Sequence, residues 1–219
     1  YGIGYTTFTV EPGEMTADAE KVTVKALVKN IGTRPGKEVV QVYYSAPEGN
    51  LDKPYQELAG YAKTKELAPG ESEEVTVTFE TESMASYCVK CASYVMEKGT
   101  YYVRVGNCSR NTHIAGAVVL DETKVIEKDK NICGDSGFED LKPEKTPFTY
   151  DGEDNEKENA KRAEIKAADL AVKEVSYQEV PAEIPAGPSV KWDEVVSGSK
   201  SLDEFVAGLT NEQAAYLCI

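Results

Sequence analysis

Two cysteines three positions apart, Cys88 and Cys91 in "CVKC", are the pair whose spacing most directly suggests chemistry. A C-x-x-C can close a redox disulfide or supply half of a structural zinc site. A zinc site takes four ligands, and beyond Cys108 the remaining candidates, Cys133 and His113, stand at no standard spacing. The expectation is therefore neither a metal nor a redox role, and no metal or cofactor is assigned. His113, the single histidine, lies in "NCSRNTHIAG". Imidazole suits general acid–base work near neutral pH, but no Ser or Cys nucleophile with a supporting carboxylate is spaced to use it, so it reads as a surface side chain. Asn107-Cys108-Ser109 is an N-x-S sequon, which matters only in an exported protein. The acidic run "DGEDNEKEN" lacks the spaced D-x-D-x-D-G ligands of a calcium loop and reads as a solvated face. The eight tyrosines from Tyr43 to Tyr102 could stack on sugar rings. On strands, however, alternate tyrosines pack inward or against a neighbouring domain.

The elements that must position these residues follow from composition and periodicity. With 41% apolar residues in 219, the chain can bury a real core in one or two domains. A formal charge of −14 argues against nucleic acid and anionic membrane as partners, since both require clustered Lys and Arg. Residues 1–120 hold 12 basic and 15 acidic side chains, and 121–219 hold 12 and 23, which places a composition boundary near Leu120. No apolar run approaches the roughly 18 residues of a membrane span. Five cysteines, an odd number scattered over a chain large enough to fold without staples, favour a reducing, cytoplasmic setting. The chain opens on Tyr1 and closes inside a helical pattern, which predicts a piece of a longer polypeptide; a missing signal peptide then says nothing of export.

Between Tyr5 and Leu120 the pattern is that of short strands separated by turns. "KVTVKALVKN" sets Val22, Val24, Ala26 and Val28 on one face against Lys21, Thr23, Lys25 and Lys29 on the other. "EVVQVYYSAP", "YQELAGYAKTKEL" and "EEVTVTF" follow as strands, "SYVMEKGTYYVRVGN" as a hairpin about Lys98-Gly99, and "HIAGAVVL" as the last strand. About seven short strands with almost no helical period predict a mainly β fold, an antiparallel sandwich of immunoglobulin or fibronectin type III kind. Residues 123–200, rich in charge and proline, read as an extended linker with a short helix around Ala163–Val172, laid on the sandwich through Phe138, Phe148, Tyr150 and Trp192, the alternative being a solvated, disordered tether. In "SLDEFVAGLTNEQAAYLCI", Ser201 with Glu204 and Thr210 with Gln213 fit capping boxes, predicting two short helices. Leu202, Phe205, Val206 and Leu209 form an apolar stripe on the first, and Leu217 continues it.

Four blocks carry a resemblance. "YGIGYTTF", "VKNIGTRPGKEVVQVYYSAP", "YQELAGYAKTKELAPGESEEVTVTF" and "VMEKGTYYVRVGNCSRN" resemble, in order, the fibronectin type III-like domain of glycoside hydrolase family 3, the family of many β-glucosidases and β-xylosidases. The terminal "SLDEFVAGLTNEQAAYLCI" is similar to the helix that opens the family's (β/α)8 catalytic barrel. The resemblance implies the less common domain order with the barrel last. It divides the chain into 1–4 as the end of a preceding domain, 5–122 as the sandwich, 123–200 as an acidic linker and 201–219 as the first helices of the barrel. It implies as partners the α/β and (β/α)8 catalytic domains of the same polypeptide, and a β-glucoside or related oligosaccharide as the full enzyme's substrate, with glucoside against xyloside left open. It also implies a non-catalytic role for this chain, bracing those domains; a carbohydrate- or protein-binding sandwich is the alternative. The family's nucleophile Asp belongs to an "SDW"-type motif of the barrel and its acid/base Glu to the α/β domain. The nearest look-alike, Lys191-Trp192-Asp193-Glu194, lacks the strand-end setting of a barrel residue. No catalytic residue is assigned. If the stripe belongs to an absent barrel core, Leu202, Phe205, Val206, Leu209 and Leu217 should be more exposed than their pattern warrants, or packed on the sandwich instead.

Overall fold

The computed structural model describes residues 4–132, 134, 137, 149–176 and 186–218, and the first sheet follows from the period-two pattern. Strand β2 (Lys21–Asn30) buries Val22, Val24, Ala26 and Val28 and turns its lysines outward. It pairs antiparallel with β1 (Phe8–Ala17) on one side and β5 (Ser72–Glu80) on the other. The register sets Val22 opposite Phe79, Val24 opposite Val77 and Ala26 opposite Val75, so all three pairs face one side. Pro12, which cannot donate to a ladder, is tolerated because β1 is an edge strand whose register shifts between Pro12 and Met15.

The second sheet has the order β11-β9-β8-β3-β4. Its strands are β3 (Val39–Ser45), β4 (Glu57–Lys63), β8 (Gly99–Cys108), β9 (Asn111–Leu120) and β11 (Arg162–Ile165). Val40, Val42, Tyr44, Val103, Val105 and Val118 turn inward and share one core with the first sheet. Each large side chain so buried contributes roughly 1.5–3 kcal/mol. A small third sheet joins β10 (Lys124–Lys128), β7 (Ser93–Met96) and β6 (Ser86–Cys88) in the order β10-β7-β6. The fold is the mainly β sandwich that the alternation predicts.

Two local expectations change. The expected hairpin about Lys98-Gly99 does not form: β7 pairs in the small sheet, and β8 crosses to the large one to form its hairpin with β9. The crossover is pinned by Glu97, which is buried and ion-paired with Lys53 and whose carboxylate also accepts the backbone N–H groups of Asn50 and Leu51. Gly99 suits it because its φ of 144° lies where L side chains are strained, and a Cβ there would come within 2.6 Å of Pro47.

The acidic, proline-containing segment is the other. No helix forms at 163–172; Arg162–Ile165 is instead strand β11, parallel to β9, and a 3₁₀ turn spans Ala167–Asp169. Ile165, Ala167 and Leu170 are buried in the sandwich core. The physical reason is the edge of β9, whose free N–H and C=O groups favour an added strand over an isolated helix turn. The helix lies earlier, as α1 (Glu153–Asn159), within the run expected as a solvated face. Tyr150 packs edge-on against His113 of β9, 5.3 Å between centroids. Phe138 and Phe148 lie outside the described residues.

Contacts divide the chain into two compact units, 1–175 and 176–219. The described part of the second holds three short helices, α2 (Trp192–Val196), α3 (Leu202–Ala207) and α4 (Asn211–Tyr216). Both capping boxes form: Ser201 Oγ accepts the Glu204 N–H at 3.1 Å, and Thr210 Oγ1 accepts the Gln213 N–H at 3.2 Å. Trp192 packs edge-on against Phe205 with 5.4 Å between centroids. Leu202, Val206 and Leu217 are 56%, 55% and 70% exposed, so most of the apolar stripe faces outward, while Phe205 and Leu209 are half-buried. Among the described residues no helix is long and apolar enough to cross a membrane.

Candidate functional site

Strand β8 alternates Tyr101, Val103 and Val105 inward, which sends Tyr102 and Arg104 to the opposite face of the large sheet. Arg104 is nevertheless wholly buried, because α1 lies over it and inserts Glu153, 1% exposed. Arg104 Nη2 donates to Glu153 Oε1 at 2.5 Å, and Arg104 Nε to Ser45 Oγ at 2.7 Å. Tyr55 OH adds a 2.7 Å bond to Glu153 Oε1, Thr149 Oγ1 one of 2.5 Å to Oε2, and Lys157 an ion pair at 3.2 Å. The guanidinium also lies over the Tyr55 ring, 4.7 Å from its centroid. Burial alone would raise the Glu153 carboxyl; the bonds from Thr149, Tyr55, Arg104 and Lys157 outweigh it and hold the group down at about 2. Burial and the bond to Glu153 push the Tyr55 phenol up.

One turn further along α1, Glu156 meets the start of β9. Its Oε1 accepts His113 Nδ1–H at 2.8 Å, and its Oε2 accepts the Ile114 N–H at 2.9 Å and the Tyr150 hydroxyl. Burial would raise this carboxyl as well, and the Ile114 N–H, Tyr150 and His113 together bring it below the usual range. Glu156, His113 and Ile114 border an open groove of about 610 Å³, lined also by Phe8, Val10, Glu11 and Asn111. Both carboxylates thus stitch the segment 149–159 onto the sheet, and β11 continues the attachment by pairing with β9.

A depressed carboxyl stabilises the fold above its unfolded value and loses that contribution as pH falls through the folded one. Both shifts are downward, so the thermal midpoint should be flat above about pH 5 and fall between about pH 4.5 and 2. Calorimetry at closely spaced pH checks this, and Glu153→Gln should flatten the acid limb.

His113 is exposed and paired with Glu156. Cys88 and Cys91 form a disulfide, Cys108 is free and half-buried, and Cys133 lies outside the described residues. Among the described residues no group of His, Cys, Asp or Glu side chains converges as metal ligands. Lys191-Trp192-Asp193-Glu194 opens α2, where the Glu194 carboxylate accepts the Lys191 N–H at 2.8 Å. Of the tyrosines, Tyr43, Tyr44 and Tyr101 are buried and Tyr61 is 70% exposed. The pattern of the sequence did not single out Arg104, Glu153, Glu156 or Tyr150. Arg104 carried the one available signal, a charge amid a run of strand-forming apolar residues.

Residues 38–109 match the family described as the fibronectin type III-like domain. β-Glucosidase A of Butyrivibrio fibrisolvens is 34% identical in a match covering 99% of this chain and 30% of that protein. A β-glucosidase of Ruminococcus albus is 33% identical, with 95% of this chain and 22% of its own length covered. The chain therefore spans less than a third of these curated relatives. Among solved structures, a β-glucosidase from Paenibacillus barengoltzii superposes with a TM-score of 0.60 at 31% identity, over 98% of this chain and 24% of that one. β-Glucosidase 3B from Thermotoga neapolitana gives 0.52 at 42% identity, over 57% and 17%.

Proposed function

We propose that this chain, which carries a fibronectin type III-like domain of the glycoside hydrolase family 3 kind with the segment that follows it, is a non-catalytic brace within a longer β-glucosidase. Its partners are the α/β and (β/α)8 catalytic domains of the same polypeptide, and the substrate of the whole enzyme is a terminal β-glucoside.

The observation that carries the reading is the state of the carboxylates. A retaining glycosidase needs two carboxyl groups about 5–5.5 Å apart, one of them raised so that it can donate a proton. Glu97, Glu153 and Glu156 are shifted the other way, each consumed by structural donors. Such groups hold backbone in place and have no proton to give near neutral pH. The same bonds fix the segment leaving the sandwich, which is what a brace between two domains requires. Relatives matched over 99% and 95% of this chain are more than three times as long, which supports a longer polypeptide for the brace to serve.

The purified chain of 219 residues should show no turnover of an aryl β-glucoside. Hydrolysis that survives repurification would overturn the reading. Saturable binding of soluble glucan, lost on Tyr61→Ala, would favour the binding-module alternative instead.

A further inference from the structure

The structure assigns the Cys88–Cys91 disulfide, with the turn it closes, as a thiol–disulfide exchange site that locks the end of β10; we propose a dithiol reductant, a small molecule or a protein with a C-x-x-C pair, as its reaction partner. Nothing in the role of a brace requires the bond, and the proposal stands independently of it.

The turn between β6 and β7 is short and its two sulfurs differ in access. Cys88 is 7% exposed, whereas Cys91 is open to solvent. The Cys91 N–H points at Cys88 Sγ at 3.2 Å, and the one charged residue inside the loop is Lys90. The backbone donor aimed at Cys88 Sγ favours a thiolate there. The polarity of the exchange follows. A reductant thiolate attacks exposed Cys91 Sγ, the S–S bond breaks, and Cys88 leaves with the electron pair as a thiolate met by the Cys91 N–H. The second thiolate of the reductant then displaces Cys91 and closes its own disulfide. Two electrons and two protons pass to the protein, which ends with two thiols, and the dithiol ends oxidised.

The bond also holds a conformation. Ala92, directly after it, is the one non-glycine residue at positive φ among the described residues, at 45°, a region an alanine leaves unless its surroundings impose it. Its carbonyl accepts the Asp129 N–H at 2.7 Å, one residue past the end of β10. Next to it, Ser93 Oγ donates to the Cys91 carbonyl at 2.9 Å, and Ser93 pairs with Lys128 in the ladder. Opening the disulfide frees Ala92 to return to negative φ and turns its carbonyl away from Asp129. The end of β10, from which the chain departs toward α1, then loses its last backbone bond.

Peptide mapping with differential alkylation of the full chain, before and after titration with dithiothreitol and with lipoic acid–dihydrolipoic acid buffers, tests the exchange. The expected result is Cys88 and Cys91 blocked together in air, released together on reduction, and closed again by oxidised lipoic acid. Hydrogen exchange should then rise at least tenfold at residues 124–129 in the reduced form while β2 is unchanged. Ala92→Gly separates a lock from a mere bond: glycine adopts positive φ freely, so the reduced variant should keep its protection at Asp129. The idea is overturned by Cys88 alkylated in air, by a pair that stays closed in excess native dithiothreitol, or by exchange at 124–129 that ignores the redox state.

Discussion

Replacing Glu153 by Ala is expected to lower the unfolding free energy by about 3–5 kcal/mol, the cost of leaving one partner of a buried ion pair uncompensated. Glu153 and Arg104 are both about 1% exposed at their side chains, so solvent cannot take over the lost bond. The substitution also strips acceptors from Tyr55 and Thr149. Urea denaturation followed by circular dichroism measures the loss. A value below about 1 kcal/mol, that of a surface pair, would sink the assignment. A double change, Arg104→Met with Glu153→Leu, distinguishes an uncompensated charge from lost packing. It should recover most of the stability, because a desolvated pair and an apolar pair of similar volume are often equivalent. Hydrogen exchange adds location: in Glu153→Ala, α1 and β11 should open more readily than β2, since they are attached to the sandwich through this pair and the β9 edge.

That prediction rests on a contact the sequence does not announce, and the reason is general. Alternation along β2 is a local property, so Val22, Val24, Ala26 and Val28 could be placed inward from ten residues alone. Arg104 obeys the same rule, which sets it on the face away from the core. Whether that face is wet depends on Glu153, 49 positions later, and no period links the two. The acidic run around Glu153 reads from the sequence as a solvated face, yet it forms α1 and two of its carboxylates answer to donors on β8 and β9. Likewise β11 has four residues, too few to show a period, and its parallel pairing is set by the vacant edge of β9. The capping boxes of α3 and α4 were legible because every participant lies within three residues. For the cysteines, spacing showed that Cys88 and Cys91 could meet, while the left-handed turn at Ala92 is visible only in the backbone.

The second large effect concerns the turn "NIGTRPG" between β2 and β3. Asn30 is wholly buried at the end of β2, and every polar atom of its amide is used. Nδ2 donates to the carbonyls of Arg34 and Leu67, each at 2.8 Å, while Oδ1 accepts Thr6 Oγ1 at 2.9 Å and the Gly32 N–H at 3.0 Å. One side chain thereby ties the approach to β1, the β2–β3 turn and the strip before β5 together. Gly32 is required in the same place, because a Cβ would come within 2.1 Å of Thr6 Oγ1 and 2.7 Å of the Thr7 nitrogen. Asn30→Asp keeps the shape and both acceptor contacts but sets a carboxylate oxygen against two carbonyl oxygens. Leu67 retains the Gly36 N–H as a donor; the Arg34 carbonyl loses the one donated by Asn30. The expected cost at pH 7 is about 2–5 kcal/mol, from unsatisfied groups at about 1–3 kcal/mol each and the added repulsion. Because the folded state disfavours the charged form, the new carboxyl is raised when folded. Its penalty relative to wild type should therefore shrink as pH falls toward about 4, where a protonated Asp regains one donor. Asn30→Ala should lose a similar amount with no such pH dependence. Urea midpoints for both variants between pH 4 and 8 decide the matter: a pH-independent difference for Asn30→Asp, or one under about 0.5 kcal/mol, would mean that the turn is held by something other than this amide.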